Sequence, residues 1–454
     1  MTETTAGDAQ RDPCAHRLRR ALARLATTAP VAVFPVVGRG GRDLVRRLEL
    51  DGPAELASSP RGASVLLVAG QLPRALWDPA IAVHDQLSPP RATVLWDAGE
   101  TPFADAPLVH TVDEAAALVR RLARDADLGN AGEPPVRPDV DPVEWRGVGP
   151  YGQGGTGMTG GTPYGRPMTD RAPDRDGLRL DQLLVRIGPF LPGLPPGLAL
   201  DVKLQGDVVQ EAAVADNPFA GGASGPVARL DDPFERALVE PVPIAELELA
   251  RARHHLLWLA EALRVQGLAA AGRRSLRLGF RLTAAAGPAF DRLCRLVVRS
   301  QVLRWSLPTA ADDVVAGEPD LGPVSRAAGH PTDARRLDPA YRALGFEPVT
   351  QRGGDVASRW RQRLAETDQA LALARAAGDT ESSVTDVVEG PRGPISRDGP
   401  SASARLLPLL PRLLAGREWG DAVATIVSLD LDVEDAARRP LTEALVSAGP
   451  GGPP

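Results

Sequence analysis

The sequence predicts two unlike parts: an α/β N-terminal domain built on a parallel sheet, and a mainly α C-terminal domain with a small β element. Three observations predict this. Short, continuous apolar runs alternate with helical patterns as far as Asp127, as parallel strands covered on both faces do. A stretch dense in Gly and Pro then interrupts the alternation from Gly129. Beyond Asp176, long helical stretches take over.

The elements follow in order. Arg17 to Leu25 reads as a basic amphipathic helix. Val31 to Val37, Ser64 to Ala69 and Ala92 to Trp96 read as buried strands, with helices at Asp43 to Leu50, Leu76 to Gln86 and Val112 to Arg124. The stretch 129–176 has too few aliphatic residues to offset its ordering entropy and reads as a flexible linker. Leu198 to Val209 alternates around a Gly turn and reads as a β-hairpin. Helices are expected at Pro243 to Gln266 and Ala289 to Leu303, then a loop from Pro308 to Gly354. Further helices are expected at Val356 to Ala377, Leu406 to Ala415 and Trp419 to Leu429. The resulting division is 1–28, a tail and first helix; 29–128, the α/β domain; 129–176, the linker; 177–445, the helical domain; and 446–454, a disordered tail.

Composition narrows the function. The 454 residues carry 52 Lys and Arg against 58 Asp and Glu, a net charge of −6, which gives no footprint for nucleic acid. Lys203 is the only lysine. Hydrophobic residues at 43% suffice for a core, although aromatics are only 4%, so that core is built from Ala, Leu and Val. The two cysteines, Cys14 and Cys294, cannot supply a four-thiolate metal site or a disulfide framework. Both read as unpaired thiols. No apolar stretch is long enough to span a membrane, and Met1 to Asp12 has no signal-peptide core. The expected location is cytoplasmic, at most peripheral on the inner membrane through partners.

Few motifs carry chemistry on their own. Gly38-Arg39-Gly40-Gly41-Arg42 follows a strand and opens a helix, where backbone N–H groups could cradle a phosphate, but it is neither GxGxxG nor a P-loop. The plainer reading is a turn closing a βα unit. His254 and His255 are adjacent on one helix and cannot both ligate one metal from it, so a structural or surface role is favoured. His84, His110 and His330 stand alone in sequence, with no nearby Ser or Cys for any of them to activate. Asp231-Asp232 and Asp312-Asp313 read as solvated loop faces.

A longer pattern resembles a known family. Asp181 to Glu211 is similar to the opening of the D, quinone-site, subunit of bacterial respiratory complex I, itself related to the large subunit of nickel–iron hydrogenases. Gly188, Pro189 and Pro192 match the family's Gly-Pro-x-His-Pro-x-x-His-Gly turn. Leu204, Gly206, Asp207 and Val208 match the hairpin after it. In order along the chain, Glu261 and Arg264, then Gly329, Asp333, Arg335 and Pro339, resemble later family segments. So do Gly354, Asp355, Arg359, Arg363, Glu366 and Gln369, and finally Glu389, Pro391, Gly393, Asp421, Ser428, Leu429 and Asp430. Residues from about 30 to 122 resemble, more loosely, the B subunit, which is like the hydrogenase small subunit and carries an iron–sulfur cluster. Together these imply a fusion of two neighbouring subunits of an NADH–quinone oxidoreductase-type complex.

The resemblance also implies losses. The cluster-cysteine positions fall at Arg39, Arg42, Thr101 and near Thr111, so no thiolate remains to hold a cluster. The two histidines of the opening turn are replaced by Leu191 and Pro195, neither of which can donate a hydrogen bond to a quinone headgroup. The nickel-binding CxxC pairs are absent. Arg39 and Arg42 could hold a phosphate or carboxylate. They could instead fill the vacated cavity while pairing with Asp43, Asp97 or Glu100, and this second reading needs no ligand.

The expected role is therefore a cofactor-free docking component of a membrane-associated assembly. Its expected partners are the membrane-arm and peripheral subunits of a complex I-like or group-four-hydrogenase-like complex. One alternative is an active electron-transfer subunit that binds quinone at a partner interface or between its halves, with His84, His110 and Asp355 as candidate contacts. A weaker alternative is anion or nucleotide sensing at Gly38 to Arg42. Whether the chain is itself an enzyme stays open at this point.

Overall fold

The computed structural model describes residues 30–52, 54–127, 132–138, 169–174, 176–220, 232–308, 313–397 and 399–437. The chain divides into two compact units, residues 1–138 and 139–454. The helix expected at Arg17 to Leu25, Cys14 and the tail 446–454 lie outside the described residues.

The first unit is a five-stranded, all-parallel sheet in the order β2-β1-β3-β4-β5. Its strands are β1 (Val31–Val37), β2 (Ala54–Leu56), β3 (Val65–Ala69), β4 (Ala92–Trp96) and β5 (Leu108–Val109). Every residue of β3 and β4 is buried, which is why these strands read as continuous apolar runs. Helices α1 (Arg42–Asp51), α2 (Trp77–Gln86) and α3 (Val112–Asp127) lie where expected. β2 and β5, with three and two residues, are too short to leave a period in the sequence. Val45 and Leu48 of α1, with Ala115, Val119 and Ala123 of α3, join the strand residues in one apolar core.

Glycine is required where β1 turns into α1. A Cβ on Gly41 would lie 2.0 Å from the Ala69 carbonyl oxygen, and one on Gly38 would lie 2.4 Å from that of Gln71. Arg39 and Gln71 exchange backbone hydrogen bonds of 2.8 and 3.0 Å across this crossing. Parts of the stretch 129–176, expected as a linker, carry described structure. Residues 132–138 belong to the first unit, where Glu133 N–H donates to the Arg91 carbonyl, and Arg171–Pro173 is a strand of the second.

The second unit opens with an antiparallel sheet of β6 (Arg171–Pro173), β7 (Arg179–Ile187), β8 (Leu200–Gln205) and β9 (Val208–Val214), in that order. β8 and β9 are the hairpin expected around Gly206, which sits at φ +61°. β7 was not anticipated, because Leu183, Leu184 and Val185 run consecutively without the alternation of a half-buried strand. A two-stranded ribbon of β10 (Val387–Glu389) and β11 (Pro394–Ser396) closes later around Gly390 and Gly393.

The helical core is built by α4 (Ile244–Val265), α5 (Ala269–Phe280), α6 (Gly287–Arg299), α7 (Val356–Ala376) and α8 (Trp419–Leu429). Leu256, Leu259, Phe290, Val297, Trp360 and Ala424 meet in its centre. Trp258 and Trp360 cross edge-to-face at 5.4 Å, and Trp258 Nε1–H donates to the Val427 carbonyl at 2.8 Å.

Several expectations need correction. The helix expected over Ala289 to Leu303 stops at Arg299, because Gln301 adopts φ +59°, and a separate turn spans Val302–Trp305. The helix expected over Leu406 to Ala415 is two pieces, Ala402–Leu406 and Leu410–Leu414, joined by a tighter turn over Leu407–Leu409 that holds Pro408, with Pro411 in the first turn of the second piece. The expected loop from Pro308 to Gly354 contains helical turns at Pro323–Ala327, Ala334–Leu337 and Pro339–Ala343, the last two capped by Asp333 and Asp338. Asp232 is no solvated loop charge: its carboxylate accepts from Phe234 N–H at 2.8 Å and caps the turn Pro233–Arg236.

Gly41→Ala is expected to destabilise the first unit by about 1–3 kcal/mol, the usual cost of forcing atoms into filled space. Gly206→Ala has open space around its added methyl and loses only the conformational preference of a left-handed turn, about 1 kcal/mol. Urea midpoints of the two variants check the order.

Candidate functional site

The sheet topology gathers the four expected cluster positions at one edge. Arg39 and Arg42 follow β1, Thr101 follows β4 and Thr111 follows β5, all at the carboxyl ends of parallel strands, where α/β sheets usually bind ligands. The two threonines serve local structure there. Thr111 Oγ accepts from Glu114 N–H while Glu114 accepts from Thr111 N–H, a reciprocal cap on α3. Thr101 Oγ accepts from Phe103 N–H at 3.2 Å. Of the acids proposed for Arg39 and Arg42, Asp43 binds Arg46 at 2.8 Å, Glu100 lies 3.3 Å from Arg74, and Asp97 lies 2.8 Å from His110. The donor set, two arginines and two threonines against tightly packed glycine backbone, does not fit an iron–sulfur cluster.

His84 is a clamped core residue. It is 1% exposed, with Nδ1 2.8 Å from Asp85 and Nε2 3.3 Å from Glu133. Burial opposes its charged form, but the hydrogen bonds to Glu133 and Asp85 prevail and raise its pKa above 6.5. Glu133 also accepts from Thr93 N–H and Oγ–H at 2.8 and 2.6 Å, which ties residues 132–138 to β4.

In the second unit, Gly188 at φ +95° starts the turn between β7 and β8, and a Cβ there would meet the Leu198 carbonyl at 2.0 Å. Pro189 accepts from Gly197 N–H, which closes the turn. Leu191 and Pro192 are exposed and Pro195 is buried. The turn presents no side-chain donor at the two positions where the resemblance puts histidine.

The charged positions assemble elsewhere, in a network wholly inside the second unit. Five guanidiniums (Arg251, Arg326, Arg335, Arg359, Arg363) and five carboxylates (Glu248, Asp333, Glu366, Glu389, Asp430) are each at most 5% exposed. Arg326 is its hub: Nε donates to Glu366 at 2.7 Å, and Nη1 donates to Glu389 at 2.7 Å and lies 3.2 Å from Asp333. Arg335 grips Asp333 with two donors at 3.0 and 2.7 Å and reaches Glu248 at 3.1 Å. Glu248 also accepts from the Tyr341 hydroxyl at 2.7 Å. Arg251 donates to the carbonyls of Glu389 and Gly390 at 2.6 and 2.9 Å, anchoring β10.

A second cluster lies along α7. Asp355 caps the helix, accepting from Ser358 N–H at 2.6 Å, and Arg359 donates to the Gly354 carbonyl and to Ser428 Oγ. His254 Nε2 lies 2.6 Å from Asp430, which Arg363 and Arg392 approach at 3.7 and 3.6 Å. The expectation that His254 and His255 would be structural fits this placement. Burial, against the pull of Asp430, lowers the His254 pKa to about 4, and burial also lowers that of His255. Both are neutral at pH 7.

Electrostatics divides the carboxylates. Burial opposes ionisation of Glu366, yet Arg326 overcomes it and holds the carboxyl well below its ordinary range; His254 and Arg392 do the same for Asp430. At Glu389 burial and the neighbouring Asp333 prevail over Arg326, and its carboxyl is raised. Cys294, half-buried on α6, has its thiol pushed up to about 11 by burial, which makes it a poor nucleophile at pH 7. Among the described residues no group of three His, Cys, Asp or Glu could hold a metal ion. The sequence pointed to most of these charged residues singly. It missed Glu248, Arg251, Arg326 and Tyr341, whose only signal was charge or hydroxyl inside otherwise apolar segments.

Arg326→Met is expected to cost about 3–5 kcal/mol, because it strands three buried carboxylates; Arg171→Ala, which breaks an exposed pair with Asp181, should leave the urea midpoint unchanged. Depressed carboxyls make the network's contribution complete above their unfolded values, 4.5 for Glu366 and 3.8 for Asp430, and lost as pH falls through the lower folded values. The carboxyls' part of the second unit's stability should therefore be lost below pH 4.5, with a weaker slope in Glu366→Gln. The buried neutral His254 and His255 add a loss that begins as pH falls below 6.5. His84 runs the opposite way. Its contribution is complete below pH 6.5 and lost as pH rises through the raised folded value, so the deficit of His84→Gln in thermal melts should shrink with rising pH.

Comparison with known proteins places this network. No curated protein matches the sequence. A solved structure of a membrane-bound sulfane sulfur reductase, an archaeal respiratory membrane complex, contains a chain similar at 17% identity over 57% of this chain and 99% of that one, with a TM-score of 0.45. Residues 320–395 match the family model of the respiratory-chain NADH dehydrogenase 49 Kd subunit, and that segment holds Arg326, Asp333, Arg335, Arg359, Arg363, Glu366 and Glu389. The chain thus carries, at residues 320–395, a segment of the 49 Kd subunit type.

Proposed function

We propose that this chain is a docking component of a membrane-associated respiratory complex: a B-type unit fused to a 49 Kd-type unit, holding no iron–sulfur cluster of its own. Its partners are the peripheral and membrane-arm subunits of such an assembly, and it reaches the membrane through them. No described helix is long and apolar enough to cross a membrane.

The observation that carries the reading is the apolar overhang of β7. On the inner face of the sheet, Leu200 and Val202 of β8 are fully buried. Val185, paired with Val202, is 37% exposed, and Leu183, paired with Leu204, is 52% exposed. Leu184 on the other face is 80% exposed. A core-facing row that continues uncovered onto the next strand is what an interface cut open would show. The charged residues of the family segment support the same reading, because they bind one another in the interior and so maintain a shape. Leu191 and Pro195 give a quinone headgroup no side-chain donor.

Affinity capture of the tagged chain from its native membranes in gentle detergent tests this. Membrane-arm subunits should be recovered, and Leu183→Asp/Leu184→Asp should lower their recovery by about tenfold or more, since buried apolar anchors each contribute about 1–2 kcal/mol to an interface. Equal recovery with the double variant would overturn the assignment of β7. Stoichiometric iron with cluster absorbance in the isolated chain would overturn the cluster-free reading, and saturable binding of a quinone analogue would favour an electron-transfer role.

A further inference from the structure

We propose that α5, α6 and the turn after them form a basic face that rests directly on an anionic phospholipid surface, adding to the contact supplied by partner subunits. The chain as a whole carries a net charge of −6, yet residues 269–306 hold eight arginines and one acid, Asp291. Arg273, Arg274 and Arg277 lie on α5, with Arg281 just beyond its end. Arg292, Arg295 and Arg299 lie on α6, with Arg304 in the turn that follows. All eight are exposed. Arg273, Arg277 and Arg281 recur every fourth residue, and Arg292, Arg295 and Arg299 follow after three and four, so each set shares one helix face. The opposite faces are occupied. Ala271 of α5 and Phe290, Leu293 and Val297 of α6 are buried in one apolar core, and the two helices pack on each other.

The buried guanidiniums of the second unit are met by carboxylates. Among the described residues, none of these eight forms an ion pair. Arg304 instead stacks over the Trp305 ring at 4.8 Å. Trp305 is 72% exposed, and Val298, next to Arg299, is 60% exposed. Unmatched positive charge with apolar tips selects the partner. Phospholipid headgroups supply dispersed negative charge, and the headgroup layer accepts a tryptophan ring. Because the apolar faces of α5 and α6 are held in the core, the contact is peripheral: arginines meet headgroups and Trp305 enters the interface, with no helix inserted. Nucleic acid would also supply phosphates, but one exposed aromatic offers no ladder for successive bases. This face is separate from β7, so the inference does not rest on the docking role.

Co-sedimentation of the full chain with vesicles tests it. Binding is expected to equimolar phosphatidylcholine and phosphatidylglycerol, not to phosphatidylcholine alone, and should weaken as salt rises. Each basic residue near an anionic membrane contributes about fivefold in affinity, so Arg292→Glu/Arg295→Glu/Arg299→Glu should weaken binding by about a hundredfold or more. Arg273→Gln/Arg277→Gln, on the other helix, should weaken it in the same sense and decides the matter if the triple variant does not fold. Quenching of tryptophan fluorescence by brominated lipid should largely disappear in Trp305→Ala. No binding to the anionic vesicles, equal binding to phosphatidylcholine alone, or undiminished binding by the arginine variants would overturn the proposal. Tighter binding to duplex DNA than to the anionic vesicles would overturn the choice of partner. Leu183→Asp/Leu184→Asp should bind vesicles as the wild type does; loss of binding there would move the lipid contact to β7 and overturn this assignment.

Discussion

A guanidinium buried in an apolar interior must be met by carboxylates, and the second unit is organised around one that is. Arg326 sits in a five-residue helical turn, Pro323–Ala327, too short to hold a position by itself. Its bonds reach Glu366 on α7 and Glu389 on β10, and it also lies against Asp333 in the connecting loop. Each of these carboxylates holds further partners: Asp333 binds Arg335, which reaches Glu248 on α4, and Glu389 accepts from Ala334 N–H. The irregular segment from Pro323 to Tyr341 is thus fixed to the helical core by charge. Such an arrangement contributes little net stability relative to an apolar core, but it penalises any packing that leaves a charge unmatched. A long, loop-rich connection reaches a single conformation by that means.

The first unit uses a different constraint. Its sheet is held by apolar burial, and the turn after β1 by direct contact of backbone with backbone at Gly38, Gly41 and Gly70. A sheet edge with helices rising from it could serve a ligand site in a related protein. Here Thr111 is a helix cap, and Asp97 and His110 form a surface pair. Side chains at that edge thus serve capping and surface pairing.

These two constraints tie residues to the architecture through folding alone. Residues that satisfy buried charge or fill a backbone crossing are retained by folding itself. Leu191, exposed in the turn between β7 and β8, meets neither demand. The exposed row of Leu183, Leu184 and Val185 on β7 belongs to neither class.

Much of the fold was legible in the sequence because it is local. Val31 to Val37, Ala92 to Trp96, Val356 to Ala376 and Trp419–Leu429 announce themselves by unbroken apolar runs or by helical period. The glycine-dependent turns at Gly38 and Gly206 were legible for the same reason, and the one at Gly188 only through the family resemblance. Short elements such as β2 and β5 were not, because a strand of two or three residues is created by its neighbours in the sheet. The candidate site divides in the same way. Residue types and order marked Asp333, Arg335, Arg359, Glu366, Glu389 and Asp430, but nothing local says that Arg326 meets residues 40 and 63 positions away, or that Arg335 reaches back 87 to Glu248. Sequence by itself determined which segments are strands and helices and which charges are present. Only the tertiary structure decided which charges meet, because buried ion pairs are chosen by where helices pack and not by distance along the chain.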